Sequence, residues 1–363
     1  MIGESSSKQR LKPHSEATAS SAILKGLCGS ASNSRYGPAL RECSAGVKVR
    51  AKEEGSMTEK MKILIGYDGT KGADLALDDL RRAGMPRKAE VLVVTAAEPS
   101  FVLSGPGSLE MIFARDSIFG TEKARTLAEK AAGRIRSDFP DWRVEEAVVP
   151  GSPSESLIVK ADEWGADLLV VGSHGHTTLG RFFLGSVSQT AVAHARCSAR
   201  VSRLRPHKQI AGPDSPVRVV VGVDGSPGAE AAVRAVASRQ WPKGSEACVV
   251  NGLWVIPPIS EEMEMHEHVA MQAAEWVARE KPVAEEIVGS AVEQLKAAGL
   301  ATTAIIKVEE PKRLLLSEAE RWDADCIFVG ARGLSRLERL LLGSVSMAVV
   351  TRAQCSVEVV RAK

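Results

Sequence analysis

Two stretches of the chain set the same residues at the same spacing. Gly172-Ser-His-Gly175 is followed after nine residues by Gly185-Ser186, and Gly330-Ala-Arg-Gly333 is followed after nine residues by Gly343-Ser344. The second copy stands 158 residues after the first at each of these glycines. A glycine lets the backbone come close to a bulky anion. A Gly-Ser at the start of a helix adds free N–H groups and the positive end of the helix dipole. The combination is suited to holding phosphate groups. An ordinary strand-to-loop turn explains two glycines per copy but not the repeated distance to Gly-Ser. Ser188 and Ser346 add hydroxyls two residues further on, and helix capping alone is the competing explanation for all four serines. Ser186 also opens a Ser-x-x-Gln189 capping-box pattern, which Ser344 lacks because Met347 stands three residues on.

An acid precedes each motif. Asp68 closes the run Ile63-Leu64-Ile65-Gly66-Tyr67-Asp68, and Asp224 closes Val219-Val220-Val221-Gly222-Val223-Asp224. A carboxylate there can accept from a ribose hydroxyl or an adenine amino group, or serve as N-cap of the next helix; both roles can be filled together. His174 and His176 lie in the first glycine loop, and Arg332 replaces His174 in the second. Each can face phosphate or simply solvent. Met263-Glu-Met-His266-Glu-His268 is not H-E-x-x-H and sits at an expected helix start, so no metal site is assigned. Arg336 and Arg339 read as surface charges. No G-x-x-x-x-G-K-[ST], no G-x-G-x-x-G after a first strand and no G-x-S-x-G occurs, so a P-loop, a dinucleotide fold and a hydrolase elbow fit poorly. No catalytic residue is assigned.

These groups need a frame that gathers them at one rim. In each copy an apolar opening strand is followed by a helix (about 71–84 and 227–240). A second strand comes next (Val91–Thr95, Ala247–Leu253), then a long helix ending near Arg136 or Ala298. Third strands over Val144–Val149 and Thr303–Val308 lead to further helices, the first opened by Ser152-Pro153-Ser154-Glu155, a capping-box pattern. Fourth strands end at Gly172 and Gly330. Last helices (about 186–196 and 344–353) run into fifth strands at Ala199–Leu204 and Val357–Val360. Apolar runs without alternation mark strands buried on both faces, and strict strand–helix alternation points to an open, doubly wound α/β sheet in each repeat. Ligands of such sheets sit beyond the carboxyl ends of the strands, where the strand order reverses. Asp68 with Gly172, and Asp224 with Gly330, fall on that rim.

The totals agree with two globular repeats plus a tail. The 363 residues are 44% apolar and 25% charged, with formal net charge +2, values of ordinary folded domains. Residues 1–60 hold ten Lys/Arg against six Asp/Glu, so the remaining 303 residues sum to −2. A near-neutral body argues against nucleic acid as the main partner. No apolar run reaches bilayer length, so no membrane partner is expected and a cytoplasmic location is. The six cysteines form no CxxC pair. Cys197 and Cys355 occupy matching positions and read as small, buried and inert rather than redox-active. Residues 1–60, Ser-rich and basic without periodicity, are expected to be a disordered tail or a misplaced start ahead of Met57 or Met61. A transit segment is the alternative. The domains expected are 61–204 and 217–363, joined by a Pro-rich linker over 205–216.

The strand-Asp openings, the two G-x2-G-x9-G-S motifs, the phrases GADLLVVGSHG and DADCIFVGARG, and the closing CSARVSRLR and CSVEVVRAK resemble the universal stress protein family. The resemblance covers about 61–204 and 217–361. It implies an adenine nucleotide alpha hydrolase-like fold, two doubly wound five-stranded parallel sheets paired through their last strands. It further implies ATP as ligand of both repeats, with Mg or Mn beside the phosphates, since the glycine motif marks the family's ATP-binding members. The adenosine end would meet Asp68 and Asp224. The phosphates would meet Gly172, Gly175, Gly185, Ser186 and Ser188, and in the second copy Gly330, Gly333, Gly343, Ser344 and Ser346. Val171 and Val329 would wall the nucleotide. Ala96 is the expected strand-two contact, and Asn251-Gly252 leaves that register open in the second copy. The reading is an ATP-binding regulatory module of stress response; a slow ATPase or phosphotransferase using His174 or His176, and a protein-interaction scaffold, are the alternatives. Homodimerisation is open.

Overall fold

Ile63, Leu64 and Ile65 lose all contact with solvent, as do Val219, Val220 and Val221. Strands apolar on both faces need a helical layer on each side, and the chain supplies one. The computed structural model describes residues 60–97, 113–173, 184–203, 211–254, 263–333 and 342–362, with 113–119 and 263–270 as backbone only.

In the first repeat β1 (Met61–Gly66), α1 (Lys71–Leu80), β2 (Ala89–Ala97), α2 (Phe113–Asp138) and β3 (Arg143–Pro150) come first. They are followed by α3 (Pro153–Trp164), β4 (Leu168–Gly172), α4 (Ser186–His194) and β5 (Ser198–Ser202). The second repeat runs β6 (Arg218–Gly222), α5 (Pro227–Ala237), β7 (Glu246–Gly252), α6 (Met263–Ala297), β8 (Ala301–Lys307), α7 (Pro311–Arg321), β9 (Cys326–Gly330), α8 (Ser344–Arg352) and β10 (Ser356–Val360). One sheet contains all ten strands in the order β3-β2-β1-β4-β5-β10-β9-β6-β7-β8. Pairing is parallel within each repeat, so both are doubly wound five-stranded sheets, and the order reverses beside β1 and beside β6. At the centre β5 and β10 pair antiparallel, with Val201 opposite Val357, Arg200 opposite Glu358 and Ala199 opposite Val359.

The join is more than a strand pair. On one face a single apolar core runs through both repeats, joining Leu157 of α3 and Val192 of α4 to Leu314 of α7 and Val350 of α8. On the other face each repeat keeps its own core, under α1 and α2 in one and under α5 and α6 in the other. Two arginines clasp the join symmetrically. Arg203 donates to the carbonyls of Val350 and Ala353 at the end of α8, and Arg361 donates to those of Val192 and Ala193 at the end of α4. Terminal helix carbonyls lack intrahelical donors, and a cation there also suits the dipole.

Several local expectations change. The first helix stops at Leu80 rather than near 84, because Arg81, Arg82 and Ala83 donate three residues back in a tightened turn. Ser152 is the N-cap of α3 but forms no capping box: its side chain makes no cap bond, and its Oγ lies 3.1 Å from Ser154 Oγ. The N-cap of α4 is Gly185, not Ser186, which removes the second capping box too. Strand two shows no register shift. Gly66 pairs with Val94 and Gly222 with Val250, so Thr95 and Ala96 correspond to Asn251 and Gly252.

Candidate functional site

Each rim is built from a turn, a strand end and a helix start. After β1 the chain turns at Asp68, whose Oδ1 accepts from Thr70 N at 3.0 Å and from Thr70 Oγ1 at 2.6 Å. Thr70 in turn caps α1, accepting from Ala73 N. In the second repeat Asp224 Oδ1 accepts from Ser226 N at 3.0 Å, and Ser226 caps α5. The acids are therefore not the N-caps but fix the turn before them. No described residue engages their second carboxylate oxygen, which keeps it available to a donor.

Gly172 and Gly330 end β4 and β9 against the first turn of a helix. A Cβ on Gly172 would fall 2.5 Å from the Gly72 carbonyl carbon and oxygen; one on Gly330 would fall 2.4 Å from the Gly228 carbonyl carbon. Backbone meets backbone here, so the absence of a side chain is already required by packing, before any ligand is considered. Ser188 and Ser346 are buried and donate to the carbonyls of Gly172 and Gly330 at 2.5 and 2.6 Å. Their protons are thus used to tie helix to strand, leaving lone pairs that only accept. What faces outward is the helix start itself. Gly185 and Gly343 are N-caps without side-chain cap bonds. The N–H groups of Ser186, Val187 and Ser188, and of Ser344, Val345 and Ser346, have no partner among the described residues. Three free donors at the positive end of a nine-residue helix form a ready anion seat.

Turn and helix start line one cavity per repeat. The first, about 450 Å³, is bordered by Asp68, Val171, Gly172, Gly185, Ser186 and Ser188, and also by Tyr67, Thr95, Ala96 and Lys123. The second, about 200 Å³, is bordered by Asp224, Val329, Gly330, Gly333, Gly343, Ser344 and Ser346, with Arg332 as its cation. Gly252, on its border, packs against the start of α7: a Cβ there would stand 2.8 Å from the Glu309 carbonyl oxygen and 2.9 Å from Pro311 Cα. A Cβ on Gly333 would lie 2.5 Å from Asp224 Oδ2, so this glycine keeps the carboxylate's free oxygen uncovered.

Thr95 was not a sequence candidate, yet it is 3% exposed, lines the first cavity and has an Oγ1 without a hydrogen-bond partner. Its counterpart Asn251 donates to the Val223 carbonyl but leaves its own Oδ1 unpartnered. An orphaned buried polar atom at the same strand position in both repeats is what a bound polar molecule or water resolves. Lys123 on α2 also escaped the sequence reading, because a surface lysine on a long helix has no distinguishing pattern. Tyr67 donates to Asp74 Oδ1 at 2.7 Å; burial and then that acceptor push its phenol well above the usual range, so it stays protonated. Among the described residues no group of three or more His, Cys, Asp or Glu is placed to hold a metal ion. Gly175, His174, His176, Arg336 and Arg339, together with residues 1–59, lie outside the described residues, and His266 and His268 are described by backbone only.

Comparison with known proteins places both repeats. Residues 60–203 and 217–361 each match the universal stress protein family. A universal stress protein of Mycobacterium tuberculosis is 27% identical over 317 residues, covering 84% of this chain and 98% of its own length. One from Mycolicibacterium smegmatis is 26% identical over 305 residues, covering 82% and 96%. Among solved structures, a universal stress protein from Archaeoglobus fulgidus superposes with a TM-score of 0.55 at 20% identity, covering 83% of this chain and 98% of that one. This last likeness concerns the fold.

Proposed function

The chain belongs to the universal stress protein family through both of its repeats, and from that premise we propose that each repeat binds ATP as a regulatory ligand in stress response. The observation that carries the reading is the uncapped start of α4, and of α8, facing the same cavity as a half-engaged carboxylate. A triphosphate would take the N–H groups of residues 186–188 or 344–346, while Asp68 Oδ2 or Asp224 Oδ2 accepts from the ribose hydroxyls. Thr95 gives its unpartnered hydroxyl to the base or sugar in the first repeat, and Val171 and Val329 supply apolar wall. The fit is better for phosphate than for an apolar ligand, because three unsatisfied donors at one end of a cavity cost free energy until an acceptor arrives. Mg or Mn would accompany the phosphates, held by their oxygens and by water.

Holding, rather than cleaving, suits donors that are mostly backbone N–H. Hydrolysis needs a base near the terminal phosphate. The test is to denature freshly purified protein, identify the released nucleotides by mass spectrometry, and titrate the emptied chain with ATP. Release of ATP, or saturable binding with two equivalents per chain, supports the reading. A chain that binds none under saturating ATP removes it. Turnover that survives purification and vanishes in His176→Ala would move the reading to a slow ATPase. No helix among the described residues is long and apolar enough to cross a membrane; a cytoplasmic location is part of the proposal.

A further inference from the structure

Arg200 and Glu358 hold the same place in the two repeats. Gly172 pairs with Ser202 in one, and Gly330 pairs with Val360 in the other, so position 200 corresponds to 358. The same two residues also face each other across the join, flanked by Val201 opposite Val357 and Ala199 opposite Val359. The join thus has an approximate twofold axis passing between Arg200 and Glu358. Backbone and apolar neighbours respect it, while charge does not.

Both side chains are sealed from solvent, 1% and 2% exposed, with Arg200 Nη1 3.1 Å from Glu358 Oε2. Behind Arg200 stands Asp79 of α1, which takes Arg200 Nε at 2.6 Å and Nη2 at 3.0 Å. Ser202 and Ser356 also donate to Asp79, at 2.7 and 2.9 Å. Behind Glu358 stands Arg239, which follows α5 and is 5% exposed. From one repeat to the other the signs therefore alternate: Asp79 negative, Arg200 positive, Glu358 negative, Arg239 positive. Burial works against the Arg200 guanidinium, but Asp79 outweighs it and holds that group firmly charged.

From this order of charges we infer that the edge of the first repeat accepts only the edge of the second, and that the Arg200–Glu358 pair is the selecting element. Two first-repeat edges in the same register would set Arg200 against a second Arg200. Two second-repeat edges would set Glu358 against Glu358. Net charge stays zero in both, but a like pair replaces an unlike pair at the buried centre. Coulomb's law makes that repulsion comparable to the attraction it replaces. A sheet edge is otherwise indiscriminate, because any strand can pair with its N–H and C=O groups. A single buried polar position that fixes which surfaces associate is a known use of such groups, at some expense in stability.

The test is a charge-reversal cycle in the full chain, read by urea unfolding and light scattering. Arg200→Glu puts two acids at the centre and Glu358→Arg puts two cations there. Each is expected to lower the folded-to-unfolded ratio by roughly 100-fold or more, the scale of breaking a buried pair. The double variant Arg200→Glu/Glu358→Arg restores an unlike pair at the centre but sets each changed group beside a like charge, Asp79 or Arg239. Its loss is therefore expected to stay well below the sum of the two single losses rather than vanish. The two single variants refolded together can also exchange repeats, giving a 1:1 dimer in which one join carries the original Arg200–Glu358 pair. A double loss below that sum, or formation of the mixed dimer, supports the inference, the dimer covering the case in which neither single variant folds alone. Singles as stable as the unmodified chain, or a double variant that loses as much as the two singles together with a mixture that forms no dimer, overturn it.

Discussion

Gly330→Ala and Gly333→Ala, three residues apart in one motif, are expected to fail in different ways. The added Cβ at 330 would lie 2.4 Å from the Gly228 carbonyl carbon and 2.7 Å from both its oxygen and Ala229 N. Those are backbone atoms of the first turn of α5, so no rotamer relieves the contact, and strand and helix must part by about 1 Å. Overpacking of this kind costs about 1–3 kcal/mol, partly offset by about 0.4–1 kcal/mol from the stiffer unfolded chain. A net loss of about 1.3 kcal/mol lowers the urea midpoint by about 0.7 M at an m-value of about 2 kcal/mol/M. The Cβ at 333 instead meets a side-chain oxygen, Asp224 Oδ2 at 2.5 Å. Asp224 can swing away, so stability should change by no more than about 0.5 kcal/mol. ATP affinity of the second repeat should fall about tenfold, the equivalent of about 1.4 kcal/mol. Tryptophan fluorescence reads the unfolding, since Trp241 packs edge-on against Phe328 of β9 at 6.1 Å between ring centroids. Calorimetric titration reads the binding. An unchanged midpoint for Gly330→Ala, or an equal loss of midpoint in both variants, would refute the division into a packing glycine and a site glycine.

Other substitutions and conditions separate the remaining roles. Thr95→Val removes a buried hydroxyl that lacks a partner, so thermal unfolding should show a gain of about 1 kcal/mol. ATP binding to the first repeat should weaken about three- to tenfold, and a variant with unaltered affinity would remove Thr95 from the site. Burial works to raise the Asp79 carboxyl, but Arg200 and the hydroxyls of Ser202 and Ser356 outweigh it and hold it below the usual range. Its contribution to stability is therefore complete above about pH 4 and lost as pH falls toward the lowered folded value. Asp79→Asn should be less stable at neutral pH and lose stability less steeply on acidification, as urea midpoints between pH 2 and 7 will show. Burial pushes the Cys197 thiol up to about 11, leaving about one thiolate in ten thousand at pH 7. Peptide mapping after brief alkylation should find Cys197 unmodified in the native chain and modified in urea; rapid native labelling would contradict its placement.

The strands were legible because they are apolar on both faces, and the doubly wound arrangement followed from their alternation with helices. The spacing from Gly172 to Gly185 was legible as well, since it depends on residue type at short range, whereas Asp68 reads as a ligand contact or an N-cap and instead fixes the turn ahead of Thr70. What the sequence could not separate was the reason for each glycine. Gly172 and Gly330 meet backbone from a segment about a hundred residues away, a contact with no local signature. Ser188 and Ser346 likewise read as free hydroxyls until the strand ends they bond were placed beside them. Caps were misplaced by one residue because Gly185 and Gly343 cap with backbone alone, which no side-chain pattern announces. Thr95 was invisible for a further reason: an orphaned atom is defined by what fails to surround it. The alternating charges at the join became visible only when strand register put position 200 opposite 358.

The arginine clasps give the molecule a mechanical property. The helix α4 meets the first cavity with its N-terminal turn, and at its other end the carbonyls of Val192 and Ala193 are gripped by Arg361, on the opposite repeat. The same lever runs in reverse from the second cavity through α8 to Arg203. At 1.5 Å per residue each rod is only about 13 Å long. An axial shift of either rod would therefore pull on a guanidinium carried by the other half, so each rod is tethered at its far end to the repeat it does not belong to.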